Sequence, residues 1–83
     1  MSLKQILSDN IVRRRKKLGI SQVSLAERLH ISPAAMARIE KGVHSPRIER
    51  LESIARHLHC GVSELFRPYS ENPDERLQQF KRL

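Results

Sequence analysis

The 83-residue chain has one cysteine, no tryptophan, one tyrosine and two phenylalanines. A lone thiol, Cys60, closes no internal disulfide, so the fold must hold without covalent staples, and such cysteine usage fits a reducing compartment. The shortage of aromatics predicts an aliphatic core and removes most of the stacking platforms on which single-strand binders rely. No apolar run approaches the roughly 20 residues of a membrane span. The opening Met1-Ser2-Leu3-Lys4-Gln5 leads into no signal-peptide apolar region. The expectation is therefore a cytoplasmic protein with no membrane association. Acidic residues are also scarce, 9 against 16 lysines and arginines, for a formal charge of +7. That balance favours a polyanionic partner, although ribosomal proteins and basic membrane-surface peptides share it. The excess lies at the front, where six basic residues face Asp9 alone in residues 1–20. Residues 68–83 balance three basic against three acidic side chains, so they are no polybasic arm.

Chemistry is missing too. No nucleophile motif, phosphate-binding loop or metal-binding helix can be found, so neither an enzyme nor a cofactor is expected. His57-Leu58-His59-Cys60 invites a metal reading, but two histidines two residues apart point away from each other on a helix, and no second cluster completes a tetrahedral site.

What is present is helical pattern. With 39% apolar residues the chain can build one small core. Ser21 stands where an N-cap belongs, ahead of Leu25, Ala26 and Leu29 on one face. Ser32 caps a second helix, Pro33 suits its first position and Gly42 its left-handed end. A connection of about three residues is too short for antiparallel packing, which predicts a helix-turn-helix over about 21–42. Before it, Leu3, Ile6, Leu7, Ile11 and Leu18 keep a 3.6-residue stripe, predicting a first helix over roughly 8–18, with a less regular lead-in, ended by Gly19. On that helix the block Arg13-Arg14-Arg15-Lys16-Lys17 points all the way round. Arg15 faces inward, Arg14 sits between, and Arg13, Lys16 and Lys17 face water. After the motif, Ser45-Pro46 marks a fourth helix carrying Ile48, Leu51, Ile54, Ala55 and Leu58. Gly61 to Phe66 reads as a short fifth helix whose Val62, Leu65 and Phe66 close the core. Cys60 is expected as a small buried apolar residue.

Taken jointly, Gly19-Ile20-Ser21-Gln22, Leu25-Ala26, Ile39-Glu40-Lys41-Gly42, Ser45-Pro46, Leu51, Ile54-Ala55, Leu58 and Glu64-Leu65-Phe66 resemble the Cro and lambda-type repressor (XRE) helix-turn-helix family, in register over roughly residues 7–67. The resemblance implies an all-α, compact five-helix DNA-binding domain spanning residues 1–67. Beyond the resemblance, the residue pattern of 68–83 predicts a linker and a tail or short sixth helix, with Asn72 as its cap and Leu77, Phe80 and Leu83 on its apolar side. The resemblance also implies a dimer. In such a motif the second helix enters the major groove N-terminus first. Met36, Ile39 and Ala35 must face the core, which turns Pro33, Ala34, Ala37, Arg38 and Lys41 outward. Arg38 alone on that face can make a bidentate contact, naturally to guanine O6 and N7, worth about 1–3 kcal/mol of discrimination. By resemblance, positions 33, 34 and 38 read bases; proline and alanine at two of them predict a half-site code centred on one guanine, with DNA shape supplying further selectivity. Ala34 and Ala37 offer only methyl contacts. Gln22 matches a glutamine that binds backbone phosphate, Ser32 combines cap and phosphate donor, and Lys41, His44, Ser45 and Arg47 surround the exit from the recognition helix, where the family holds flanking backbone. The family also pairs an arginine on its first helix with a glutamate ending the third, positions held here by Arg15 and Glu40, as structural support. His30 stands where the family often has glycine, a site that calls for positive φ.

The function expected is sequence-specific binding of double-stranded DNA at an inverted-repeat operator by a homodimeric, nucleoid-associated regulator of a prokaryote or phage, with repression favoured over activation. Two alternatives stay open. One is an antitoxin-like adaptor whose tail, residues 68–83, binds a protein partner; the other is RNA or nonspecific DNA coating through charge.

Overall fold

The computed structural model describes residues 2–69, which form five helices and no strand: α1 (Leu3–Lys17), α2 (Gln22–Arg28), α3 (Pro33–Glu40), α4 (Ile48–His57) and α5 (Val62–Leu65). The first three start alike. The hydroxyls of Ser2, Ser21 and Ser32 accept the backbone N–H of Gln5, Ser24 and Ala35 at 3.2, 3.0 and 3.1 Å, each satisfying one of the donors that a helix start leaves without an intrahelical partner.

The first four helices also stop alike. Gly19, His30, Gly42 and His59 all take positive φ, at 71°, 57°, 75° and 57°. In each case the next residue donates its N–H back into the helix: Ile20 to the Arg15 carbonyl, Ile31 to Ala26, Val43 to Arg38 and Cys60 to Ala55, at 3.0–3.1 Å. This is the Schellman closure, which satisfies the last carbonyls and turns the chain sharply. His30 does hold the left-handed conformation that its place in the turn called for. His59 repeats it at the end of α4.

These turns fold the helices around one aliphatic core. Leu7 and Ile11 of α1, Leu25, Ala26 and Leu29, Met36 and Ile39 of α3, Leu51, Ile54, Ala55 and Leu58, and Leu65 of α5 are all 8% exposed or less. Ile20, Ile31, Cys60, Val62 and Phe66 pack partly buried against them. Helix α3 packs on both α2 and α1, and α5 on α1 and α4. Helix α3 is thus held from two sides.

Two buried polar residues of α1 fasten the packing. Asn10, 1% exposed, donates through Nδ2 to the carbonyls of Leu65 and Arg67 at 2.8 and 2.7 Å, and so closes the C-terminus of α5. Ser8 donates to the Gln5 carbonyl at 3.0 Å, and its oxygen would lie 3.3 Å from a Cβ at Gly42. Gly42 therefore serves twice, for its φ and for the close approach of α1.

Several expectations need correction. Helix α1 begins at Leu3 rather than near residue 8. Its Leu3 and Leu18 are 64% and 43% exposed, because one lies in the first turn beyond the core and the other caps the helix as the chain turns away. Helix α4 begins at Ile48 behind Arg47, which makes no side-chain cap bond; Pro46 is buried, and Ile48 is 70% exposed. Arg13 is half-buried rather than in water, donating to Asn10 Oδ1 at 3.0 Å with its guanidinium 3.8 Å from the Tyr69 ring centre. Arg14 lies at an intermediate depth, as expected, and pairs with Glu64 at 3.1 Å. The expected tail helix falls outside the described residues.

Candidate nucleic-acid interface

Helix α3 presents two unlike faces. Met36 and Ile39 are buried and Ala35 half-buried, whereas Pro33, Ala34 and Arg38 are exposed, with Ala37 partly so; Lys41, the C-cap, is exposed as well. The outward face is therefore made of a proline, two alanines and two cations. The Arg38 side chain makes no hydrogen bond or ion pair with any described residue and is exposed, so its five donors remain in water. Pro33 has no N–H to lose at the first position. The Ser32 hydroxyl accepts the Ala35 N–H and still has its own proton to donate.

At the other end of α3, Glu40 gathers three elements. Arg15 of α1 forks onto it, Nε to Oε2 at 2.7 Å and Nη2 to Oε1 at 2.9 Å, while Nη1 donates to the Ile20 carbonyl at 2.9 Å. Gln22, in the first turn of α2, donates Nε2 to Glu40 Oε1 at 3.1 Å. The Arg15 and Glu40 side chains are 11% and 6% exposed. A bidentate pair at this depth, with Nη1 also bonded to a carbonyl, fixes geometry as well as charge. The structure thus brings together Arg15 and Glu40, which the family resemblance paired, and adds Gln22 to them. One N–H of the Gln22 amide is spent on Glu40; the second is left to donate elsewhere.

His44, Ser45 and Arg47 are exposed on the connection from α3 to α4, following Lys41. The backbone N–H groups of Val43 and His44 both point back to the Arg38 carbonyl, at 3.1 and 3.4 Å, so the connection starts out anchored to α3. Behind it an open groove of about 560 Å³ is lined by Ile31, Ala35, Ile39, His44, Pro46, Arg47, Glu49, Arg50 and Ser53. Arg50 crosses it to donate Nη1 to the Leu29 carbonyl at 2.6 Å, tying α4 to the end of α2. Neither Arg50 nor Asn10 was singled out in the sequence. Their partners are backbone carbonyls at helix ends 21 and 55 residues away, and no local pattern signals such a bond. His57 Nδ1 lies 2.8 Å from the Ser53 carbonyl, while His59 is exposed on the turn.

Two short capped helices joined through a left-handed turn, one fixed inward and outward by its burial, define a helix-turn-helix DNA-binding domain. The model of a helix-turn-helix family, HTH_3, matches residues 11–65, and the chain belongs to that XRE-type family of DNA-binding transcription regulators. Comparison with curated proteins finds none that matches. Among solved structures, the chain is similar to the clp gene regulator ClgR of Corynebacterium glutamicum, with 25% identity, 78% of this chain and 69% of that one covered, and a TM-score of 0.74. It is similar to a hypothetical transcription factor, NHTF, from Neisseria at 24% identity, covering 94% and 85% of the two chains with a TM-score of 0.78. The hydroxypropylphosphonic acid epoxidase of S. wedmorenis shares the fold at 22% identity and a TM-score of 0.73. This chain spans 86% of its own length in that match but only 38% of the epoxidase, so the likeness concerns fold and not activity. No helix among the described residues is long and apolar enough to cross a membrane.

Proposed function

We propose that the chain binds double-stranded DNA sequence-specifically as a homodimer, with α3 in the major groove and Arg38 reading one guanine in each half of an inverted repeat. The observation that carries this is the division of α3. Met36 and Ile39 lock one side into the core, and the opposite side offers Arg38 as its one bidentate donor. An α-helix about 10–12 Å across with its side chains fits a major groove about 12 Å wide. The Arg15–Glu40–Gln22 cluster supports the reading by holding α3 rigid without engaging the outward face. Gln22, Ser32, Lys41, His44, Ser45 and Arg47 then hold the phosphates on either side, while Pro33, Ala34 and Ala37 admit the helix close to the bases.

Dimerisation is argued from selectivity. One such helix reads few base pairs, and two of them on one DNA face, about 34 Å apart, multiply discrimination. Repression follows from occupancy of a promoter alone and needs no further surface, which is why it is preferred over activation.

The test is selection of bound duplexes from a random pool near physiological salt, with wild type and Arg38→Ala side by side. The expected result is a two-fold symmetric site for wild type and loss of one guanine preference per half for the variant. Strongly salt-dependent binding without any enriched sequence would mean electrostatic coating and would end the specific-regulator reading.

A further inference from the structure

The four helix ends supply an internal comparison. In a Schellman closure the residue after the left-handed one commonly packs on the helix residue to which it donates. At the other three ends that residue, Ile20, Ile31 or Cys60, rests partly buried against the core. Val43, held by the same bond to Arg38 at 3.1 Å, is 69% exposed. The difference lies in the partner. Ala26 and Ala55 are buried and Arg15 is turned in to Glu40, but Arg38 is on the outward face of α3. The closure of α3 therefore leaves an exposed, branched apolar side chain on a residue whose backbone is bonded to Arg38.

We infer that Val43 is a second specificity-determining residue, whose methyl groups contact the 5-methyl of a thymine next to the guanine read by Arg38. This rests on the DNA-binding reading of α3. The thymine methyl is the one apolar group that the base edges present in the major groove. The alanines of the outward face carry a single methyl each, so Val43 has the largest apolar group at the end of that surface. Its backbone is fixed to Arg38, which sets the two side chains to read neighbouring base pairs as a unit.

The test replaces the selected thymine by deoxyuridine, which removes the methyl and keeps the pairing. Wild type should bind the deoxyuridine duplex about fourfold more weakly, the worth of one buried methyl. Val43→Ala should lose a similar factor on the thymine duplex and bind both duplexes alike. Wild-type indifference to the methyl, or a thymine preference that survives in Val43→Ala, would overturn the inference. So would an equal loss by Val43→Ala on every duplex, which would place the side chain on the sugar-phosphate backbone. If wild type selects no guanine-centred half-site, the underlying reading falls and takes this inference with it. Val43 is exposed, so the variant should melt with wild type, and a thermal melt checks that its losses are not losses of fold.

Discussion

Removing the Arg15 guanidinium would leave the Glu40 carboxylate, 6% exposed, with only the Gln22 amide for a partner. A stranded buried charge costs about 3–5 kcal/mol, so Arg15→Ala should lose most of its stability in urea unfolding, and its DNA binding should track the folded fraction. The double variant Arg15→Met, Glu40→Leu should recover much of that loss, because it removes both charges together. Asn10 offers a neutral counterpart. Asn10→Ala strips the side-chain donor from the carbonyls of Leu65 and Arg67, and unpaired buried groups of this kind cost about 1–3 kcal/mol each. A fall of about 2–3 kcal/mol is expected in denaturant unfolding, with α5 the first element to lose amide protection.

At the scale of the element, the helix ends decide. Left-handed backbone costs an ordinary residue about 1–2 kcal/mol, less for histidine than for bulkier types, while glycine there gives back some unfolded-state entropy. His30→Gly and His59→Gly should therefore each raise stability by up to about 1 kcal/mol, additively, since they close different helices. Paired thermal melts would show it, and a loss in either variant would mean that the imidazole does something the turn needs. The two glycines should differ the other way. A Cβ at Gly19 meets nothing within 4 Å, whereas one at Gly42 meets Ser8 Oγ at 3.3 Å, so Gly42→Ala should cost more than Gly19→Ala. The larger cost at Gly42 falls where α1 supports the end of α3.

Across the whole molecule, charge sets how binding responds to conditions. With a formal +7 and cations on both sides of α3, affinity should fall steeply as salt rises. Lys41→Ala should weaken all duplexes alike and lower the salt slope by about one; a change in sequence preference instead would move Lys41 from the phosphates to the bases. The core answers to pH through one thiol. Burial pushes Cys60 up; Arg14 pulls against it, Glu64 adds to the rise and Arg13 opposes it. A raised thiol favours the protonated form, so its share of stability is complete below the unfolded value of about 8.5 and is lost as pH rises through the folded one. Alkylation at pH 8 should accordingly be slower in the native protein than in urea.

The helices and the turn were legible in the sequence because they are local. Ser21, Ser32, Pro33 and Gly42 act on backbone within four residues, and the apolar spacing of Leu25, Met36, Ile39, Leu51 and Ile54 reports one buried face whatever that face meets. The outward set of α3 followed by subtraction, and the pairing of Arg15 with Glu40 from family likeness. Other features belonged to the tertiary structure alone. Asn10 on the end of α5, Arg50 on the end of α2, and Tyr69 under Arg13 join residues far apart in sequence, and nothing in either partner's neighbourhood announces the other. The exposure of Leu3, Leu18 and Ile48 was likewise hidden, because a periodic stripe shows which side of a helix is apolar but not where the core beneath it ends. The elements and their inward faces are written in the residue order, since caps, turns and periodicity act over a few residues. Which helix end each buried polar side chain closes, and which apolar residues, Val43 among them, are left facing out, came only with folding, since these depend on distances between segments that meet only in the folded chain.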